Sequence, residues 1–314
     1  TYGTRLNDRD LASAKHMAAI KKQEHVLVPV TTEDYRYYME EVRRYDLPCL
    51  EYSQIPLTTV YRHMKEDGFK VVLSGDGADE LLFGYRYMRH LLDERRDPAS
   101  AMINRFARGR SSGRIGKLLR RYGYYGTNES VERRHFNILR ARVHDRSTAW
   151  GDEYRDQGVR AMRGIYAGAS DQELWQKVRT AEVRIGLRNK MLPKVDRASM
   201  AESVEVRVPF ISRLIERNGA LTFRMGKARS LRRCMSKDER HFFRLADKRG
   251  FNPPLGAWIS NSGLADELTA GSNIADALHL STATVSALLQ DFRSGDNTAA
   301  QTVHALLVMN RFLR

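Results

Sequence analysis

The first third of the chain alternates between helical and strand patterns of apolar residues. Between residues 7 and 22 the apolar positions recur at helical spacing after an Asn/Asp start signal, and residues 25–30 form a short apolar run that predicts a strand. Residues 32–44 and 56–68 favour two further helices, the first capped by Thr32 and the second opened by a proline. Strands that alternate with helices predict an α/β arrangement.

The pattern changes after residue 70. Residues 70–73 are a short β-branched run of the kind found in a buried parallel strand. Beyond about Tyr85 strand signals fade. Residues 174–203 predict a long amphipathic helix interrupted only near Pro193, and residues 265–314 predict more helices. The second part is therefore expected to be mostly helical and to share a core with the first.

The candidate chemistry lies directly after the predicted buried strand, where residues 74–80 read S-G-D-G-A-D-E before an apolar helix start. Two glycines let backbone N–H groups approach an anion, and a helix N-terminus favours phosphate at the same place. Three carboxylates would repel a bare phosphate, but a Mg²⁺ ion would bridge the carboxylates to the phosphate oxygens. Alternatively, Asp76, Asp79 and Glu80 only complement the helix dipole, which is worth about 0.3–1 kcal/mol each.

Four segments together resemble the synthetase domain of the asparagine synthetase family. Residues 71–80 with Gly84 and Tyr85 are similar to one family signature, and residues 192–201 with 205–210 resemble its D-R-x-S-M and E-x-R-x-P-F elements. Residues 247–251 look like its K-x-G-F loop, and residues 309–314 resemble its final helix. The matches occur in the family's order and cover nearly the whole chain.

The resemblance implies a PP-loop ATP pyrophosphatase fold, in which a parallel sheet is flanked by helices and followed by a mostly helical C-terminal extension. It also implies a reaction. A substrate carboxylate attacks the α-phosphorus of ATP, pyrophosphate leaves, and ammonia or an amine displaces AMP from the acyl-adenylate to form an amide. Such chemistry needs metal ions on the phosphates, cations on the leaving pyrophosphate and a base for the nitrogen.

By the same resemblance, each role falls to particular residues of this chain. The expected cofactors are ATP and Mg²⁺. Asp79, with Glu80 beside it, is the expected metal ligand, and Lys248 is expected to stabilise the charge on the α-phosphate and pyrophosphate. The nucleotide is expected to contact Ser74, Gly75 and Gly77, with Lys227 as a weaker match to a lysine that meets pyrophosphate.

Two further assignments have structural alternatives. Asp76 occupies the variable position of S-G-x-G and is the expected acceptor of the proton from the attacking nitrogen, although it would also complement the helix start. Arg197, Glu205 and Arg207 are candidate substrate-binding residues. Together with Asp196 they would alternatively form a buried structural ion network.

The chain also departs from the family pattern. The primary phosphate loop of the fold, S-G-G-x-D-S, does not occur in the sequence, and neither does a glutaminase domain with its leading Cys. We therefore expect an upstream glutaminase-like domain or segment to supply the missing loop. The opening Thr1 suggests a fragment of a longer protein, since there is neither an initiator Met nor a signal peptide pattern.

Charge and composition indicate the kind of partner and the cellular location to expect. The net charge is +15, and seven of the Lys and Arg residues lie between residues 98 and 128 without any acid. Such a stretch would meet nucleic acid, a phosphorylated ligand or an acidic partner surface, or it would simply be a solvated helical insertion. No apolar run approaches the roughly 20 residues that span a bilayer, and the only cysteines, Cys49 and Cys234, form no paired motif. A cytoplasmic location is expected.

The expected organisation has three parts. Residues 1–90 form the α/β nucleotide-binding part, residues 91–150 an Arg-rich helical insertion, and residues 151–314 a helical synthetase part on the same core. The expected function is an ATP-dependent, AMP-forming carbon–nitrogen ligase that acts on a small-molecule or peptide carboxylate. The alternatives are a macrolactam-forming relative, such as a lasso-peptide cyclase or β-lactam synthetase, and a non-catalytic nucleic-acid-binding module on the same scaffold.

Overall fold

A computed structural model describes residues 2–4, 8–45, 47–92, 130–139, 148–240, 253–268, 274, 277–278 and 280–313. The strands are β1 (Tyr2–Thr4), β2 (Val26–Val28), β3 (Val71–Leu73) and β4 (Glu205–Arg207). The Arg-rich stretch between residues 98 and 128, and Lys248, lie outside the described residues. The three-part division therefore stays a prediction.

Helices make up most of the described chain. In the first half these are α1 (Asp8–Ile20), α2 (Thr32–Glu40), α3 (Gln54–Glu66), α4 (Ala78–Leu81), α5 (Arg86–Leu92), α6 (Val131–Leu139) and α7 (Thr148–Ala167). In the second half they are α8 (Leu174–Ala181), the π-helix Glu182–Met191, α9 (Leu192–Met200), α10 (Arg213–Arg217), α11 (Gly219–Arg232), α12 (Leu255–Ser262), α13 (Thr282–Arg293) and α14 (Asn297–Leu313). Two 3₁₀ turns cover Val42–Arg44 and Leu264–Leu268. Among the helices described, none has the length and apolar character needed to cross a bilayer.

The strands form two parallel pairs. Strand β1 pairs with β2, with Tyr2 opposite Val26, and β3 pairs with β4, with Val71 opposite Glu205. Helix α3 contacts β1 and β2, and it also packs Leu57 into a cluster that contains residues of β3 and β4. One helix therefore covers both strand pairs. The parallel pairing and the intervening helices confirm the predicted α/β class.

Three local expectations needed correction. Helix α2 is capped by Thr31 rather than Thr32, because the Asp34 carboxylate accepts from the Thr31 amide at 2.9 Å in a capping box. Strand β3 is not buried: Val71 is 42% and Leu73 is 74% exposed. Helix α4 ends at Leu81 and does not continue through the apolar run, because Phe83 adopts a positive φ of 55°.

The largest core cluster joins the two ends of the described chain. Tyr35 and Tyr38 of α2 are fully buried in a cluster that also contains residues of α12, α13 and α14. Trp258 and Leu307 belong to the same cluster. Apolar residues at helical spacing on each of these helices provide the burial. A second cluster packs α5, α6, α7 and α8 together around Met162.

The long predicted helix of residues 174–203 is present as one helical run in three parts. Helix α8 passes into the π-helix and then into α9, and Pro193 lies at the start of α9. Proline at this position has no amide hydrogen to lose, so the run continues past it. The actual irregularity is the π-helix, which contacts α4. It therefore lies beside the glycine turn that follows β3.

Candidate active site

The glycine turn begins where the β3–β4 pairing ends. The Ser74 amide donates to the Arg207 carbonyl at 2.9 Å, which extends the parallel ladder by one residue. The Ser74 hydroxyl donates to the Asp76 carboxylate. Gly77 has a φ of 86°, and a Cβ there would lie 2.9 Å from Ile211 Cγ1. Glycine is required here both by the left-handed backbone and by the close neighbour.

The first turn of α4 carries an ion pair. Lys227 Nζ lies 2.7 Å from Asp79 Oδ1, with 23% of the lysine and 18% of the aspartate side chain exposed. Gly84 lies directly beside this pair, and its amide donates to the Asp79 carbonyl at 2.8 Å. A Cβ at Gly84 would overlap Asp79 Oδ1 and lie 2.7 Å from Lys227 Cδ. Gly84 therefore makes room for the carboxylate and the ammonium to meet.

Packing along α11 positions Lys227. Phe223 stacks on Trp175 with ring centroids 5.2 Å apart, and its ring lies 5.2 Å from that of Phe83. Gly226 interrupts the helix with a φ of 70°. The aromatic contacts fix the first part of α11 against α4 and α8, and the change of direction at Gly226 comes immediately before the lysine.

Glu80 points away from this pair and into the protein. It is 3% exposed, and the Tyr85 hydroxyl donates to its carboxylate at 2.7 Å. Burial raises the pKa of Glu80 above its usual range, although the hydrogen bond from Tyr85 opposes the shift. The neighbouring carboxylates Asp79 and Glu80 therefore have different partners and different environments.

A buried polar network lies behind Glu80. The Tyr85 ring stacks on Tyr87 with centroids 5.1 Å apart, and burial, reinforced by the neighbouring Glu182 carboxylate, holds the pKa of Tyr87 well above its usual range. Glu182, at the start of the π-helix, is 2.6 Å from His135 Nε2, and both side chains are essentially unexposed. This network ties α6 to the π-helix beneath the turn.

The predicted substrate residues do not form a buried network. Asp196, Glu205 and Arg207 are exposed and Arg197 is half-buried. Arg207 Nε donates to Glu205 Oε1 at 2.8 Å within β4. The alternative of a buried structural ion network is therefore wrong, because three of its four members face solvent.

The turn and its surroundings bring together some predicted site residues and not others. Ser74 contacts Asp76, Asp79 contacts Lys227, and the backbone of Arg207 joins the start of the turn. The position of Lys248 is outside the described residues. Within the described part of the chain, no three His, Cys, Asp or Glu side chains cluster as a ready metal site.

Sequence reasoning gave no role to three residues that shape this region. Gly84 and Tyr85 were noted only as part of the family signature, and the contact of Gly84 with Asp79 and Lys227 explains why a glycine follows α4. His135 had no signal in the sequence, because a lone histidine on a helix is most often a core residue. Only its 2.6 Å distance to the buried Glu182 distinguishes it.

The strands, the helices and the turn define a helix-rich α/β protein in which a glycine turn follows a parallel strand. Comparison with known proteins assigns the family. The family model of asparagine synthase matches residues 1–314, and the chain belongs to that family. This confirms the resemblance that the four sequence motifs indicated.

Individual relatives agree with this assignment. The chain is 26% identical over 320 residues to a protein from Mycobacterium bovis named "Putative asparagine synthetase (glutamine-hydrolyzing)", with 96% of this chain and 47% of that protein covered. It is 28% identical over 222 residues to "Asparagine synthetase (glutamine-hydrolyzing) 1" from Bacillus subtilis, with 64% and 32% covered. The chain spans about half the length or less of the curated relatives it matches.

Proposed function

We propose that this chain is the synthetase part of an ATP-dependent ligase that activates a substrate carboxylate as an acyl-adenylate and transfers it to ammonia or an amine. One observation carries the proposal: the Asp79–Lys227 pair lies in the first turn of the helix that follows the glycine turn. The Asp79 carboxylate would bind a cation, and the adjacent Lys227 ammonium would bind a phosphate. Both lie next to the backbone N–H groups at the start of a helix.

Each step of the proposed reaction is assigned to residues of the turn or to one of two lysines. Ser74, Gly75 and Gly77 bind the nucleotide, and open space around Gly75 leaves its backbone free to approach phosphate. Lys227 and Lys248 neutralise the leaving pyrophosphate. Asp76 takes the proton from the attacking nitrogen. Its hydrogen bond from Ser74 keeps its carboxylate at the mouth of the turn.

The two candidate metal ligands differ in how well they suit Mg²⁺. Asp79 is partly exposed and pairs with the Lys227 ammonium, so its carboxylate lies at the surface of the site. Glu80 is buried, its carboxylate already accepts a hydrogen bond from Tyr85, and burial raises its pKa. These contacts support Asp79 as the ligand and Glu80 as a buried support for the turn. Bound Mg²⁺ would neutralise charge on the phosphates.

We further propose that a strand from outside residues 1–314 completes the site. Among the described residues, β1 pairs only with β2 and β3 only with β4, so each pair has an open edge under the shared helix α3. Phe69, Val71 and Leu73 are 46%, 42% and 74% exposed at or near the β3 edge. A parallel strand inserted between β1 and β3 would cover these side chains, and its end would lie beside Ser74. The S-G-G-x-D-S loop would belong to this strand.

ATP–pyrophosphate exchange tests both proposals. The complete natural protein, with any segment or partner chain that supplies the additional strand, is assayed with L-aspartate and with other amino-acid and peptide carboxylates, and residues 1–314 are assayed alone in parallel. We expect exchange with at least one carboxylate by the complete protein and almost none by residues 1–314. No exchange with any carboxylate would contradict the ligase proposal. Robust exchange by the monodisperse residues 1–314 would contradict the need for an external strand.

A further inference from the structure

Lys194, near the start of α9, is a buried lysine that has no acidic partner among the described residues. The residue is only 7% exposed, and its Nζ contacts the Ser53 hydroxyl at 3.4 Å and Met191 Sδ at 3.9 Å. Within the part of the chain that the structure describes, no carboxylate forms an ion pair with it. A buried ammonium is costly unless an anion compensates it, and neither a hydroxyl nor a thioether supplies negative charge.

The surroundings of Lys194 carry excess positive charge. Lys190, Lys194 and Arg197 follow one another at helical spacing and lie on one face of the helical run. Glu51 pairs with Lys190 at 2.6 Å. Both Lys194 and Arg197 act electrostatically on the buried Cys49, where they oppose the rise in thiol pKa that burial causes. We call Lys190, Lys194, Arg197, Glu51 and Ser53 the Lys194 cluster.

The Lys194 cluster lies at the same edge of the strands as the glycine turn. Helices α3 and α9 each lead through a short connection into β3 and β4 respectively, so both run antiparallel to the strands and begin at the carboxyl edge. Ser53 immediately precedes α3. Lysine side chains on a helix lean toward its N-terminus, which directs Lys194 to this edge.

The helical run also gives an approximate distance between the glycine turn and Lys194. Leu187 of the π-helix lies against the turn, since a Cβ on Gly77 would be 3.7 Å from Leu187 Cδ2. Lys194 is seven residues further along the same run, which is at most roughly 10 Å at the α-helical rise of 1.5 Å per residue, because the residues up to Met191 are π-helical and rise less. The lysine side chain leans back toward the turn, so a substrate that reacts at the turn would have less than this distance to span to reach the ammonium.

We propose that the Lys194 cluster is a binding subsite for a carboxylate of the substrate that is amidated, with Lys194 as the main contact and Arg197 and the Ser53 hydroxyl as secondary ones. The assignment of the ligand rests on the proposed function. A single buried ammonium with one hydroxyl suits a monovalent carboxylate, whereas polyphosphate needs several N–H donors and a metal ion, which the turn provides. Among the described residues, no acidic side chain pairs with Lys194.

Binding measurements test this subsite without relying on catalysis. Thermal stabilisation of the natural full-length protein is measured with L-aspartate, succinate and inorganic pyrophosphate, for the wild type and for Lys194→Gln and Lys194→Met. The control is Lys65→Gln, which removes a lysine of α3 that has an acidic partner, Glu202, at 3.6 Å. We expect at least one dicarboxylate to stabilise the wild type and the control, and neither Lys194 variant.

Kinetics supply a second measurement if the protein catalyses exchange. Lys194→Gln should raise the KM for the carboxylate by at least about tenfold, while the KM for ATP changes less than about twofold. Without ligand, both Lys194 variants should melt no lower than the wild type, because they remove an uncompensated buried charge.

Several results would overturn the subsite. One is that carboxylates stabilise the Lys194 variants as much as the wild type. Another is that only pyrophosphate, and no carboxylate, stabilises the protein in a way that depends on Lys194. A third is an unchanged carboxylate KM in Lys194→Gln. The failure of every carboxylate to bind would likewise contradict it. Lys194-dependent carboxylate binding in a protein that makes no adenylate would support the subsite and contradict only the ligase proposal.

Discussion

Asp79 and Lys227 are 148 residues apart in the chain, and their charged atoms lie 2.7 Å apart in the fold. The first residue lies in α4, directly after the glycine turn that follows β3, and the second lies in α11, in the second half of the chain. The pair joins the α/β part to the helical part at one point. That point is where a metal-bound nucleotide would need both a carboxylate and an ammonium.

Replacing Asp79 should abolish activity without unfolding the protein. In the natural full-length protein, Asp79→Asn removes the charged metal ligand, and we expect ATP–pyrophosphate exchange at normal Mg²⁺ to fall by at least about 100-fold, since a bound metal contributes several kcal/mol of charge stabilisation. The partly exposed ion pair contributes only about 0–1 kcal/mol, so the melting temperature should change by less than about 4 °C. Asp156→Asn, at an exposed position of α7, is the control. An active Asp79→Asn protein would rule out Asp79 as the ligand.

Gly84→Ala should disturb the ion pair sterically. The added Cβ overlaps Asp79 Oδ1 and approaches the Lys227 stem, so the two side chains separate and exchange activity should fall by about tenfold or more. The overlapping atoms are side-chain ends that move aside, so the free energy of unfolding should fall by only about 1 kcal/mol.

The matched control for that substitution is Gly164→Ala in α7, where an added Cβ meets nothing within 4 Å. Alanine in a helix interior should raise the free energy of unfolding by up to about 1 kcal/mol and leave exchange unchanged. Both quantities are measured by denaturant titration and by the exchange assay. Full activity in Gly84→Ala would show that the Asp79–Lys227 contact is dispensable.

Lys248 should act on the transition state more than on binding. Negative charge grows on the leaving pyrophosphate, and Lys248→Arg keeps the charge but changes its shape and reach. We expect most of kcat to be lost with a modest change in the KM for ATP, as measured by steady-state kinetics. Lys237→Arg, at an exposed position, serves as the comparison. Equal losses in kcat and in ATP affinity would instead indicate uniform binding.

His304 should make stability depend on pH. It is completely buried in the main core, and burial lowers its pKa from 6.5 to about 3. Its folded-state pKa lies below the unfolded value, so the unfolded chain binds a proton first. The free energy of unfolding therefore falls as the pH drops from 6.5 toward 3, by up to about 1.4 kcal/mol per pH unit.

Substitution of His304 isolates its contribution to the pH dependence of the free energy of unfolding. Between pH 6.5 and about 5.5, where ordinary carboxylates stay mostly ionised, His304→Gln should lose part of the pH dependence that the wild type shows in denaturant titrations. His16→Gln, an exposed change in α1, should keep the wild-type slope. Identical slopes in all three proteins would mean that the unfolded state does not take up the proton at His304.

The sequence alone determined the features that depend on neighbouring residues. Helix α1, strand β2 and helix α3 lie where the apolar spacing predicted them, and the glycine turn follows β3 as the motif required. Errors were local as well. Thr31 rather than Thr32 caps α2, because both are threonines and only the reach of Asp34 back to the Thr31 amide distinguishes them. Short-range patterns carry this information since helix, turn and cap are made by residues close in sequence.

Only the tertiary structure decided which way the charged side chains point and which of them meet. The sequence places Asp79 and Glu80 side by side, but packing turns one toward Lys227 and the other toward Tyr85 in the interior. Lys194 lies within one of the sequence motifs, yet its burial, with no acidic partner in the described part of the chain, depends on how α9 lies against α3. Contacts between distant elements and the desolvation of a charge depend on the assembled core, so no pattern along the chain encodes them locally.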